Sequence, residues 1–229
     1  MKKLVLVLFV SLLTLGTFAQ NLQTHYDMGK DRGYLTTTVE MFRPDKTGNT
    51  FFFIDFDYGV GNVKNSPALA YFEIARCFTL GKSPFSWHAE YNGGFGQWKA
   101  GSASGAYSIS NAWLTGIDYS WNASDFSRGF SLKALYKNIA NTTDAKPNSF
   151  QLTGVWYLNF AKNKMRFCGF ADLWREKTAF GKMVFLTEPQ LWYNFTPKFA
   201  AGSEIEISNN FAGQDGFKIN PCASLKYTF

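Results

Sequence analysis

Residues 219–229 alternate without a break. Ile219, Pro221, Ala223, Leu225, Tyr227 and Phe229 share one side, and Asn220, Cys222, Ser224, Lys226 and Thr228 share the other. A repeat of two puts neighbouring side chains on opposite faces of a strand, here one oily and one wet. The strand runs straight into an aromatic final residue, as the closing strand of an outer-membrane β-barrel does. The expectation for this stretch is that it pairs with the strand before it and with the first strand of the chain, closing a ring.

The same alternation recurs upstream. Twelve strand-like segments are read at 22–29, 34–44, 50–58, 68–80, 85–92, 107–121, 130–138, 149–160, 165–175, 183–194, 201–208 and 218–229. In the third, Phe52, Ile54, Phe56 and Tyr58 alternate with Phe51, Phe53, Asp55 and Asp57; in the fifth, Phe85, Trp87, Ala89 and Tyr91 alternate with Ser86, His88, Glu90 and Asn92. The charged members keep to one face. A charge facing lipid costs about 2–4 kcal/mol near the midplane, so that face is assigned to the interior. A soluble β-sandwich alternates too, but with its apolar face inward. Aromatics near strand ends (Tyr58, Tyr91, Trp121, Phe160, Tyr193, Tyr227) favour the barrel, because such rings settle at membrane interfaces. The expected fold is all-β, a single antiparallel transmembrane barrel of twelve strands, with ten as the alternative.

Composition agrees. Charged residues make up 17% and aromatics 18%, yet no stretch beyond the N-terminus approaches the roughly 18 apolar residues of a spanning helix. Residues 1–19 read as a secretory leader: Lys2 and Lys3, an apolar run from Leu4 to Leu15, then small residues up to Ala19. Cutting there leaves 229 − 19 = 210 residues, or 17.5 per strand and connection. The net charge of +6 falls to +4 without the two leader lysines, and no basic stripe points to nucleic acid. Cys77, Cys168 and Cys222 lack zinc-motif spacing, so packing inside strands is their expected role, with one disulfide left open. Termini in the periplasm make odd-numbered loops external and longer; 59–67 and 93–106 are long, whereas 81–84 and 161–164 are short. Two segments break the pattern. In the sixth, Ala112 and Leu114 share one face while Ile117, Tyr119 and Trp121 share the other, so a bulge near Gly116 is expected to keep both sets facing outward, and another is expected at Pro189. Arg76 shares the outward face and is expected to reach the interface from a strand end.

The inward face supplies the candidates for chemistry. Expected to line a pore are Glu40, Asp55, Asp57, Glu73, His88, Glu90, Lys133, Lys137, Arg166, Asp172, Glu188, Gln190, Glu204, Glu206 and Lys226. Among them, Phe51, Phe53, Tyr71, Tyr157, Phe170, Trp174 and Trp192 could stack a flat solute at about 1–3 kcal/mol each. A lumen packed shut by the same side chains is the competing reading. Ser86, His88 and Glu90 do not make a triad, since alternate residues on a strand stand about 7 Å apart. No enzyme activity, cofactor or metal is expected.

The runs 37–46 (TTVEMFRPDK), 90–94 (EYNGG), 151–160 (QLTGVWYLNF), 185–190 (FLTEPQ) and 208–213 (SNNFAG) resemble an uncharacterised family of Gram-negative outer-membrane proteins, over nearly all of 22–229. That family is distantly similar to the Tsx nucleoside-specific channels. The resemblance implies a monomeric twelve-stranded barrel in outer-membrane lipid, passing small polar solutes such as nucleosides. It carries over no solute-contacting residue. A closed barrel that presents 59–67 and 93–106 as a binding surface is the alternative.

Overall fold

The computed structural model describes residues 19–64, 66–140 and 146–229. The leader expected over 1–19 therefore lies outside the described residues, apart from Ala19. The strands are β1 (Ala19–Asp27), β2 (Leu35–Asp45), β3 (Gly48–Tyr58), β4 (Pro67–Thr79), β5 (Phe85–Ala100), β6 (Ala103–Asn122), β7 (Arg128–Ile139), β8 (Asn148–Phe160), β9 (Met165–Arg175), β10 (Met183–Thr187), β11 (Gln190–Asn194), β12 (Phe199–Asn209) and β13 (Phe217–Thr228). Among the described residues the one helical element is a 3-10 turn, Val60–Asn62.

From β1 to β9 and from β12 to β13, consecutive strands pair antiparallel, β10 and β11 each pair with β9 and β12, and β13 also pairs with β1, Ser224 lying opposite His25 and Lys226 opposite Gln23. The ring closes on itself, and among the described residues the tip of the β5–β6 hairpin, where 97–100 pair with 103–106 and with no other strand, projects past it. β10 and β11 are two halves of one strand, since both pair with β9 and β12. The barrel thus has twelve strands, as the alternation implies.

The expected bulge at Pro189 does not occur. Thr187 pairs with Ala171 and Gln190 with Cys168, so the count of residues is equal on both sides of the gap. Against β12 the register is equally continuous, Thr187 with Ile207 and Gln190 with Glu204. Proline has no N–H to give, so it interrupts the ladder without inserting a residue. Gly169 stands opposite; a Cβ there would lie 2.5 Å from the Glu188 carbonyl and 3.0 Å from the Pro189 Cα. The glycine accommodates the proline's close approach.

The bulge expected near Gly116 is also displaced. β6 pairs with β7 in unbroken register, and the irregularity lies between Asn92 and Gly94, where Asn92 faces Ala112 and Gly94 faces Ile109. Ala112 and Leu114 do not turn outward. They face the interior and pack with Leu135 and Ile139. Beyond the irregularity, 93–106 is a β-hairpin rather than a loop, turning at residues 101–102. Its glycines are covered by rings from the paired strand: Cβ positions on Gly96 and Gly105 would run into Tyr107 and Trp98. An aromatic laid over a cross-strand glycine restores the packing that the glycine forfeits.

The outer surface is apolar, with Leu132, Leu152, Ile219 and Leu225 all about half exposed. Such a belt suits hydrocarbon rather than water. At the end carrying both termini it meets a collar of paired rings: Phe78 with Trp87 at 5.3 Å, Trp121 with Phe130 at 5.8 Å, Tyr193 with Phe195 at 4.9 Å, and Tyr227 with Phe229 at 5.5 Å. Arg76, on the outer face, reaches the same end and grips Asp45 by two hydrogen bonds of 2.5 and 2.9 Å at the β2–β3 turn.

Candidate functional site: the barrel interior

Register places every candidate side chain on the inner face. Glu40 lies opposite Asn21 and Phe53; Asp55 opposite Thr38 and Tyr71; Glu73 opposite Asn92; Thr153 opposite Asp172; Gln190 opposite Glu204. Glu188 keeps the same parity because the β10–β11 register is continuous. Facing inward is not the same as facing free space, however, and the interior divides into sectors.

On β2–β4 the carboxylates are half-buried and lightly tied. Thr38 donates to Asp55 at 2.5 Å, Thr36 to Asp57 at 2.6 Å, and Asn21 to Glu40 at 2.8 Å. Phe51, Phe53 and Tyr71 run beside them as a ladder, with centroids 6.0 Å apart at each step. The Tyr71 hydroxyl donates to Glu73 at 2.7 Å, and Asn92 donates to the same Glu73 oxygen at 3.1 Å. On β9, Asp172 accepts a 2.5 Å bond from Thr153. Phe170 is half-buried on the same inward face.

A second sector is packed. Trp192 is fully buried, with the Lys226 Nζ 3.8 Å over its ring and Gly202 beneath it. Its Nε1 donates to Gln190, whose amide donates to Glu204 at 2.5 Å. His25 closes this group, 2.9 Å from the Ser224 hydroxyl and 3.5 Å from Glu204. Trp174 is likewise covered, by the Lys137 Nζ at 4.5 Å and by Phe211. Lys137 donates to Gln151 at 2.7 Å. Tyr157 carries the Arg166 guanidinium over its ring at 5.0 Å. Of the seven rings expected to stack a solute, Trp192, Trp174 and Tyr157 therefore already hold a cation on one face.

A third sector, on β4–β7, is closed, and here the expectation that alternate residues stand too far apart to touch fails: His88 and Glu90 lean together to 2.7 Å, because the side chains span the gap between backbone positions. His88 is wholly buried between Cys77, 3.2 Å from its Nδ1, and Glu90, 2.7 Å from its Nε2. Lys133 lies opposite Asp118 and Thr153. The three cysteines are free thiols.

Sequence reading found the first strand but overlooked its inward side chains, and it overlooked one connection. Asn21, Gln23, His25 and Asp27 are all buried inside the barrel; their alternation with Leu22, Thr24 and Tyr26 was the available signal. Arg32, in the connection 28–34, turns inward and bridges Asp27 at 2.7 Å and Glu206 at 2.9 and 3.1 Å. Burial alone would lower its pKa, but the hydrogen bonds to Glu206 and Asp27 outweigh that and raise it. No local pattern marks a loop arginine whose partner is 174 residues away.

Two solved structures share this architecture. A NanC porin matches with a TM-score of 0.60 at 12% identity, over 92% of this chain and 100% of that one. A KdgM porin matches with a TM-score of 0.52 at 10% identity, over 92% and 99%. At such identities the likeness establishes the closed porin-type barrel and nothing finer. No curated protein matches the sequence significantly. The family model of a domain of unknown function, DUF5020, matches residues 19–229, and the chain belongs to that family.

Proposed function

We propose that this barrel sits in the outer-membrane lipid of a Gram-negative cell and acts as a narrow passive channel for small polar solutes. The observation that carries the reading is the half-buried arc of Asp55, Asp57 and Glu73 beside the ladder Phe51–Phe53–Tyr71. Inward carboxylates outnumber inward lysines and arginines, so the conduit favours cations and neutral hydrogen-bonding solutes over anions. The rings offer a face to a planar solute while carboxylates and hydroxyls bind its polar edge. Nucleosides fit that description, and binding to them must stay weak enough to let them leave. A monomer suffices, because the interior is enclosed by one chain.

The test is single-channel recording of the purified barrel in planar bilayers, with nucleoside uptake into liposomes alongside. Cation-selective steps are expected, and Asp55→Lys with Asp57→Lys should weaken or reverse the selectivity. Absence of both conductance and uptake would discard the channel. A second reading, a sealed barrel with a structural or ligand-binding role, draws on the fully buried Trp192 and His88 and on the Arg32 bridge between β1 and β12. Conductance through the wild-type barrel would exclude it.

A further inference from the structure

Cys77, His88 and Asp118 come from three adjacent strands, β4, β5 and β6. Cys77 lies directly opposite His88, and Asp118 lies one inward position along β6 from Gly116, the residue opposite His88. Gly116 has no side chain, so the imidazole and the carboxylate converge past it. All three are buried, and their donor atoms lie within 4.8 Å of one another. The Cys77 Sγ is 3.2 Å from the His88 Nδ1 and 3.5 Å from the Asp118 Oδ2.

The Glu90 carboxylate sits 2.7 Å from the His88 Nε2, an arrangement that leaves the Nδ1 facing Cys77. A sulfur, a nitrogen and a carboxylate are thus gathered from three strands, with Lys133 opposite Asp118 as the neighbouring cation. That mixed donor set is one a zinc-class ion takes. Bonds of 2.0–2.3 Å at tetrahedral angles separate such ligands by about 3.3–3.6 Å, close to the two distances from the Cys77 Sγ, 3.2 and 3.5 Å. A metal-bound histidine whose other nitrogen donates to a carboxylate is the usual supporting arrangement.

We propose that Cys77, His88 and Asp118 bind a zinc-class divalent ion through Sγ, Nδ1 and a carboxylate oxygen, with Glu90 as the positioning residue and a fourth coordination position left for water. Metal binding expels the thiol proton to solvent and leaves a thiolate. Thr79 and Ser86 form the next inward pair beyond Cys77 and His88, toward the end that carries the termini. The site stands independently of the channel reading.

The experiment loads the full mature barrel, folded in detergent and stripped with chelator, with Co²⁺. Expected are one equivalent bound per chain, a thiolate-to-cobalt charge-transfer band in the near ultraviolet, and displacement of both by Zn²⁺. Cys77→Ser and Asp118→Asn should lose the band while heat-modifiable gel migration shows the barrel still folded. Cys168→Ser and Cys222→Ser should keep it, and Glu90→Gln should weaken binding by about 10–100-fold. A folded wild-type barrel that gives no band, or a band that survives Cys77→Ser, overturns the site. The first result would mean that hydrogen bonds alone account for the cluster; the second, that the cobalt sits elsewhere. Because the wild-type spectrum decides alone, a variant that fails to fold does not shield the proposal.

Discussion

Two arcs of the barrel wall obey the same alternation and end in opposite states. On β2–β4 the inward residues Thr36, Thr38, Asp55, Asp57 and Tyr71 are half-buried, each tied by short-range hydrogen bonds to a neighbour. On β5–β7 the inward residues His88, Ala112, Leu114, Asp118, Leu135 and Ile139 are at most 5% exposed. The first arc borders space and the second fills it. Inward parity selects the side of the wall; side-chain volume and polarity then decide whether that side is lumen or core. The closed arc contains the apolar cluster, and the carboxylates it does bury are partnered, Glu90 with His88 and Asp118 with Ser120, because unpaired charge cannot be packed where water is excluded without a large cost.

The largest expected effect tests the closed arc. Leu135→Ala removes a side chain that is 3% exposed in the cluster with Ala112, Leu114 and Ile139. It should cost about 2–5 kcal/mol, the range for a buried leucine, read as a lower urea midpoint of the folded barrel in vesicles. Asp55→Asn on the open arc should change the midpoint far less, because water can still reach the group. Equal losses at the two positions would mean that the arcs do not differ.

Next in size is the bridge that ties the open end to β12. Arg32→Ala leaves Asp27 and Glu206 without the guanidinium between them. Glu206 keeps the Ser208 hydroxyl and the Asn220 amide, both at 3.0 Å. A loss of about 1–3 kcal/mol is expected, together with larger conductance if this side chain narrows the entrance. Unchanged conductance with lowered stability would make the bridge a fastening only.

The alternation made the fold legible almost completely. Strand count, closure through β13 and the inward parity of the candidate carboxylates were readable because a period of two survives any sequence context when one face meets lipid and the other does not. The misreadings have one source. Leu114 was read as lipid-facing because it is apolar, and a bulge at Gly116 was invoked to allow it. Inside a barrel that is partly core, an inward leucine needs no bulge. Pro189 was read as an insertion because proline breaks hydrogen bonding, yet a missing N–H does not add a residue. The interior site was less legible than the fold. Parity could place Trp192 inward, but not show that Lys226 on β13 would cover its face. Nor could it bring Cys77, His88 and Asp118 together, since their register depends on two hairpins at once.

The smallest effect bears on the charge balance of the open arc. Asp57→Asn removes one inward carboxylate from a group that keeps its Thr36 hydroxyl contact, since an amide oxygen accepts that bond as well. Stability should shift by no more than about 1 kcal/mol. Cation preference, measured as the reversal potential across a salt gradient, should nevertheless fall, and fall further in the double variant with Asp55→Asn. The same neutralisation at Glu90, inside the closed arc, should leave the reversal potential where it was, because that carboxylate is 8% exposed and bonded to His88. Selectivity that responds to Glu90 as strongly as to Asp57 would show that ions sense both arcs, and that the boundary between lumen and core lies nearer β5 than the burial pattern puts it.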